Sequence, residues 1–243
     1  MIPLAARTRA KKLQSASRDL PAILLEVHRR LLQSYGPQGW WPGDGPFDVI
    51  IGAILTQAAA WTNVEMAIAN LKEAGCWSME AIDSQTEEAL GDIIRPSGYF
   101  NAKARKLKAF ATHLRVNHAG DLHRMLSQET GPLRDELLSI HGIGPETADD
   151  IVLYAAGKPS FVIDTYTHRI VQRLGIAGDI PSNNYHRLQS VFHDNLPADA
   201  SLFNEYHALL DRHAKEACAK TPRCEGCCLL DICETGKQAL NPG

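Results

Sequence analysis

Apolar residues in this chain recur at helical spacing, and no stretch alternates with a period of two for long enough to suggest a strand. In "AILLEVHRRLLQSY" (22–35), Ile23, Leu24, Val27, Leu31 and Leu32 form one stripe, and Gly36-Pro37 ends it. "FDVIIGAILTQAAAW" (47–61) is apolar nearly all round, which predicts a helix buried in a core. "NVEMAIANLKEAG" (63–75) is amphipathic and stops at Gly75. Further helices are expected over 86–93, 102–117, 121–128, 132–140, 146–156, 165–174, 184–194 and 202–217. Glycine and proline fall mostly between these segments, as in "WWPGDGP" (40–46) and "GKPS" (157–160). The expected class is all-α.

The chain has 243 residues, 44% of them hydrophobic, enough for a sizeable core and too many for disorder throughout. No apolar run approaches the roughly 18–20 residues of a bilayer span, and the basic N-terminus has no apolar segment of the secretory kind. An intracellular protein with a basic tail over 1–17 is expected. Net charge is −3, which argues against a protein held on nucleic acid by bulk charge alone. Local basic clusters remain, chiefly Arg95, Lys103, Arg105, Lys106 and Lys108, each a candidate phosphate contact or a solvated helix face.

Five of the six cysteines crowd into residues 218–233. In a reducing compartment such clustering points to metal ligation rather than disulfides. Cys218, Cys224, Cys227 and Cys233 follow C-x5-C-x2-C-x5-C, a spacing that suits an iron–sulfur cluster. Zinc is the alternative, although only Cys224–Cys227 forms a zinc-type knuckle. Spacing also leaves Cys228 as an alternative ligand to Cys227. Upstream, "LLSIHGIGPETADDI" (137–151) places Gly142 and Gly144 in a tight turn between two helices. Bare amides there, with the next helix's N-terminus, make a seat for a phosphate oxygen. Asp164 follows Gly144 by twenty residues and precedes "TYTHRI". It reads either as a helix cap or as a carboxylate with a chemical role.

Together these pieces resemble the helix-hairpin-helix DNA glycosylases of the endonuclease III superfamily. "PFDVIIGAILTQ", "YFNAKARKLKAF", "LLSIHGIGPETAD", "FVIDTYTHRI" and the cysteine loop occur in the family's order over residues 46–233. One departure is the five residues, rather than six, between the first two cysteines. The resemblance implies a monomer that binds double-stranded DNA with a damaged base, and a 4Fe–4S cluster on the four cysteines. It implies a six-helix domain (46–158) carrying the hairpin at 137–156, facing an iron–sulfur domain from both chain ends (18–45 and 159–243). Gln57, Gly142, Gly144 and Thr147 are the implied DNA-binding residues, and Asp164 the implied catalytic carboxylate.

Bifunctional relatives carry a lysine two positions after the second hairpin glycine, where this chain has Glu146. A carboxylate cannot form an imine, so a monofunctional glycosylase is expected. "WWP" (40–42), "RPSGYFN" (95–101) and "GIGPETAD" resemble a branch that includes a bacterial 3-methyladenine DNA glycosylase. That likeness implies a base pocket lined by Trp40, Trp41, Pro42 and Phe47, with Lys215 nearby. An alkylated purine is the expected substrate. Another lesion, such as an oxidised pyrimidine or a mispaired base, and a non-catalytic iron–sulfur DNA-binding protein are the alternatives.

Overall fold

The structure, a computed structural model, describes residues 19–178, 180–181 and 183–240; the expected basic tail lies outside them. Thirteen α-helices are present among these residues, and no strand. They are α1 (Leu20–Tyr35), α2 (Pro46–Thr56), α3 (Trp61–Glu73), α4 (Met79–Ser84), α5 (Glu87–Ile93), α6 (Phe100–His118) and α7 (Leu122–Leu126). After them come α8 (Thr130–Ser139), α9 (Pro145–Asp150), α10 (Thr165–Arg173), α11 (Tyr185–His193), α12 (Ala200–Glu216) and α13 (Glu234–Leu240). No helix among the described residues is long and apolar enough to cross a membrane.

Two apolar cores organise these helices. The first is centred on α2, whose Ile50, Ile51, Ile54 and Leu55 are wholly buried, and it gathers side chains from α3 through α9. The apolar surround of "DVIIGAILT" is thus explained: helices cover α2 on every side. The second core joins α1 to the C-terminal helices. Phe161 stacks on Phe192 at 3.8 Å between ring centroids, Phe203 and Tyr206 meet it edge-on, and the Tyr206 hydroxyl donates to the Leu24 carbonyl of α1 at 2.9 Å. Burying each such side chain contributes roughly 1.5–3 kcal/mol, which is why α1 returns to helices nearly two hundred residues away.

The second hairpin helix connects the cores. Val152 belongs to the first and Leu153 to the second. Below them Asp149, wholly buried, accepts from Arg134 of α8 at 2.8 and 3.0 Å and from Ser160 at 2.5 Å. It also accepts from Tyr185 and Gln189 of α11, at 2.8 and 2.9 Å. Five donors to one buried carboxylate leave neither of its oxygens unpaired.

Several boundaries differ from the sequence expectation. The segment expected as one helix over 47–61 stops at Thr56, because Gln57 is extended and Ala58 takes a positive φ of 52°. The segment 146–156 is α-helical only to Asp150; Ile151–Ala155 widens into a π turn closed by Ala156 N–H on the Ile151 carbonyl. Helices α4 and α13 were not expected.

Candidate active site and cysteine cavity

Asp164 caps α10. Its Oδ1 accepts the Thr167 amide at 2.6 Å, while Oδ2 faces His207 Nε2 of α12 at 3.9 Å. Capping and a free second oxygen are therefore compatible, and the two readings of this residue do not compete. Opposite stands a stripe that sequence reasoning missed. Glu146, Asp150 and Tyr154 succeed one another a turn apart along the second hairpin helix and its π turn. The Tyr154 hydroxyl lies 2.6 Å from His207 Nδ1. Burial lowers the His207 pKa and raises that of Tyr154, so the neutral phenol donates to Nδ1. His207 then carries its hydrogen on Nε2, toward Asp164.

The three carboxyl groups sense one another. Asp150 is raised well above its ordinary pKa, first by burial and then by the charges of Glu146 and Asp164. Glu146 is pushed up to about 7, first by the protein around it and then by the Asp164 charge. Its side chain is nonetheless exposed, and solvent there weakens both effects. Three negative charges would repel in so small a space, and protonating one or two relieves them. The signal was legible in principle: an Asp one turn after Glu146 on the same helix face.

Trp41 joins this group, 5.4 Å from Tyr154 between ring centroids. Its indole lies against Gly52 of α2, where an added Cβ would come within 3.0 Å of Trp41 Cζ2. Trp40 and Trp61 complete the aromatic wall, each 5.4–5.7 Å from its neighbours. The indole N–H of Trp41 and Nε2 of His207 are buried without a hydrogen-bond partner. Trp61, the first residue of α3, was not expected here. Pro42 is exposed beside Trp41.

Two implied pocket residues are not brought to this group. Phe47 packs edge-on against Trp77, at 5.0 Å, and lines a separate cavity that also holds Lys158. Lys215 is exposed and pairs with Asp211 at 2.6 Å; it sits two turns beyond His207, roughly 12 Å along the axis.

At the hairpin, Gly142 has φ +83° and lies against Lys106, so a side chain is excluded there. Gly144 is exposed and caps α9, whose first residue is Pro145. Gln57 is engaged rather than free: its amide donates to the Gly142 carbonyl at 3.3 Å and to Thr147 Oγ1 at 2.8 Å, and Lys106 donates to its oxygen. Gln57 and Thr147 thus brace the turn from within, and the Thr147 side chain is buried. Lys103 is a further correction. Only 1% exposed, its ammonium is held by the carbonyls of Leu55 and Ser97 at 2.8 and 2.6 Å, and burial lowers its pKa to about 8. It cannot reach a phosphate.

Cys218, Cys224, Cys227 and Cys233 line one small cavity walled by Ile170, Leu174, Leu229 and Leu230. Cys228 faces elsewhere, into a groove with Arg29, Arg30, Gln33 and Ser34. Arg173 donates to Cys218 Sγ at 3.1 Å and the Gly236 amide to Cys233 Sγ at 3.4 Å. Burial opposes ionisation of Cys218, but His213 and Arg173 hold its pKa below the ordinary value. No three of the sulfurs lie within 4.8 Å of one another. One zinc ion with bonds of about 2.3 Å would draw them closer than that. An apolar, thiol-lined cavity with N–H donors to sulfur suits a group held by thiolates.

Comparison with known proteins agrees with this geometry. Residues 51–192 match the family model described as HhH-GPD superfamily base excision DNA repair protein. A putative DNA repair glycosylase of Methanocaldococcus jannaschii is 40% identical over 213 residues, covering 87% of this chain and 96% of the relative. Endonuclease III of Sulfolobus acidocaldarius is 30% identical, covering 77% and 81%. Among solved structures, an endonuclease III–DNA covalent intermediate superposes with a TM-score of 0.78 at 22% identity, over 91% of this chain and 99% of that one. The 3-methyladenine DNA glycosylase of H. pylori bound to 1,N6-ethenoadenine gives 0.69 at 26% identity, over 82% and 98%. The hairpin, the capping Asp164 and the all-helical architecture accordingly have one common explanation: the chain belongs to the HhH-GPD superfamily of base excision DNA repair proteins, the helix-hairpin-helix DNA glycosylases.

Proposed function

We propose that the protein is a monofunctional DNA glycosylase that hydrolyses the N-glycosidic bond of an alkylated purine, such as 3-methyladenine, flipped from double-stranded DNA. The observation that carries this reading is the pairing of the Asp164 carboxylate with an indole-rich wall and two further carboxyls. An alkylated purine is cationic and already a good leaving group. Indole faces attract such a cation by roughly 0.5–2 kcal/mol, and any ionised carboxylate of the group adds to that attraction. The likeness to the H. pylori enzyme supports the same substrate class.

The reaction follows from the geometry. The hairpin amides at Gly142 and Gly144 hold a phosphate, and the target base leaves the stack. As the C1′–N bond lengthens, positive charge grows on the sugar, and Asp164 Oδ2 stabilises it. Water then attacks C1′, its proton passes to a carboxylate, and the base departs with the bonding electron pair. An abasic site remains. Glu146 occupies the position of the lyase lysine, so no imine forms.

The nucleophile test is direct. Wild type is expected to release base but leave the strand intact until alkali is added. Glu146→Lys, which sets an amine facing Asp164, is expected to gain a borohydride-trappable link to DNA. Trapping of the wild type would refute the monofunctional reading.

A second reading rests on Glu146 itself. With a pKa of about 7, it is a proton donor at neutral pH suited to a neutral leaving base, such as a mispaired or oxidised pyrimidine. Release from duplexes carrying 3-methyladenine, 7-methylguanine, uracil or thymine glycol separates the two.

The cavity of Cys218, Cys224, Cys227 and Cys233 is the proposed seat of a 4Fe–4S cluster. When bound, the cluster supplies a covalent tie between α12 and the C-terminal loop, which is too short for a core of its own. Cys228→Ser is expected to retain full iron and visible colour, because Cys228 faces a different groove. Cys227→Ser is expected to lose most of both. Equal iron in the two variants would overturn the ligand assignment.

A further inference from the structure

Away from the Asp164 group, α6 and α8 bring two imidazoles and a carboxylate together. His113 Nε2 and His118 Nε2, both on α6, lie 2.6 and 2.5 Å from the same oxygen, Oε1 of Glu136 on α8. The three ligand atoms all lie within 4.8 Å of one another. The other carboxylate oxygen, Oε2, accepts from the Gln128 amide. We propose that His113, His118 and Glu136 form a binding site for a divalent first-row transition ion of the zinc type.

The donor set supports the choice of ion. Two imidazole nitrogens and one carboxylate oxygen, with further positions left for water, suit zinc and its neighbours rather than calcium or magnesium, which favour all-oxygen shells. Both rings meet the carboxylate through Nε2 as hydrogen-bond partners, and a bound ion would replace those protons and spread the three donor atoms around itself. Gln128 touches no ion, but it fixes the carboxylate, the service that outer hydrogen bonds perform at built metal sites. Access is available as well. His113 lines a surface cavity with Arg105, Thr112, Asn117 and His141, while His118 forms the buried side of the site.

The position suggests the purpose. Helix α8 leads directly into the hairpin turn at Ile140–Gly144. An ion shared by α6 and α8 ties the first hairpin helix to the long helix behind it, and stiffens the platform that holds a phosphate. The ion touches no reacting atom. Its role is positional, and it is independent of the substrate and of the cysteine cavity.

The test uses the full chain with its iron content measured. Samples are dialysed against increasing free zinc, and zinc and iron are counted per chain by mass spectrometry. Wild type is expected to take up one zinc beyond its iron. His113→Ala and Glu136→Gln are expected to lose that zinc with unchanged iron and helical circular dichroism, and Gln128→Ala to bind it about tenfold more weakly. Zinc uptake equal in wild type and variants would overturn the proposal, since the ion would then sit elsewhere. Should the variants fail to fold, cobalt(II) added to wild type decides. Ligand-field bands that zinc bleaches are the expected result, and their absence would mean that the triad is only a hydrogen-bonded cluster.

Discussion

Asp164→Asn is expected to reduce base release by at least about 10²–10³-fold, the scale on which enzymes lose rate when one preorganised electrostatic group is removed. Folding should hardly change. Asparagine accepts the Thr167 amide as aspartate does, and the two are near-equal helix caps, within a few tenths of a kcal/mol. The contrast separates the two roles of this residue. Single-turnover release from lesion DNA, with urea unfolding of the same samples, measures both. A variant that loses several kcal/mol of stability would make Asp164 chiefly structural. One that keeps its rate would move the catalytic charge to another carboxyl of the group, such as Glu146 or Asp150.

The largest effect on stability is expected at Asp149. Asp149→Ala leaves the Arg134 guanidinium without its carboxylate in a part-buried setting, and strips Ser160, Tyr185 and Gln189 of their shared acceptor. Breaking one partner from a buried ion pair costs about 3–5 kcal/mol. For a chain of this size each kcal/mol lowers Tm by roughly 2–4 °C. Asp149 joins α8, the Ser160 segment and α11, so the loss reaches both cores. A Tm fall of about 6–20 °C by calorimetry, with α8 and α11 destabilised together in hydrogen exchange, is the expected outcome. A change below about 1 kcal/mol would mean that the network contributes little net stability, as buried ion pairs replaced whole sometimes do.

Much of the fold was legible because helices write themselves in local spacing. The stripe of Leu24, Val27 and Leu31 and the all-round apolarity of α2 each predicted an element and its degree of burial. The short helices α4 and α13 escaped, although α5 and α7, of comparable length, did not. The break at Gln57 escaped as well. It depends on the hairpin, 85 residues away, to which Gln57 is hydrogen-bonded.

Local structure at the site was legible where residue type and spacing set it: the glycine turn between two helices and the acidic cap of α10 are of that kind. Lys103 marks the limit: in a row of basic residues nothing distinguishes the one whose ammonium is buried on the Leu55 and Ser97 carbonyls. Phe47 and Trp61 mark it again, since both are aromatics near the right loop and only packing places Trp61 beside Trp40 and Trp41.

By itself the sequence determined the helical class, the glycine turn between two helices and the crowding of cysteines near residue 225. All are set by residue chemistry and short-range spacing. Tertiary structure alone decided which carboxyls meet, which cysteine faces the cavity and which lysine is buried. It also brought His113 and His118 to Glu136. These outcomes depend on distances between elements far apart in the chain, and those distances follow from how two cores pack, to which no local pattern corresponds.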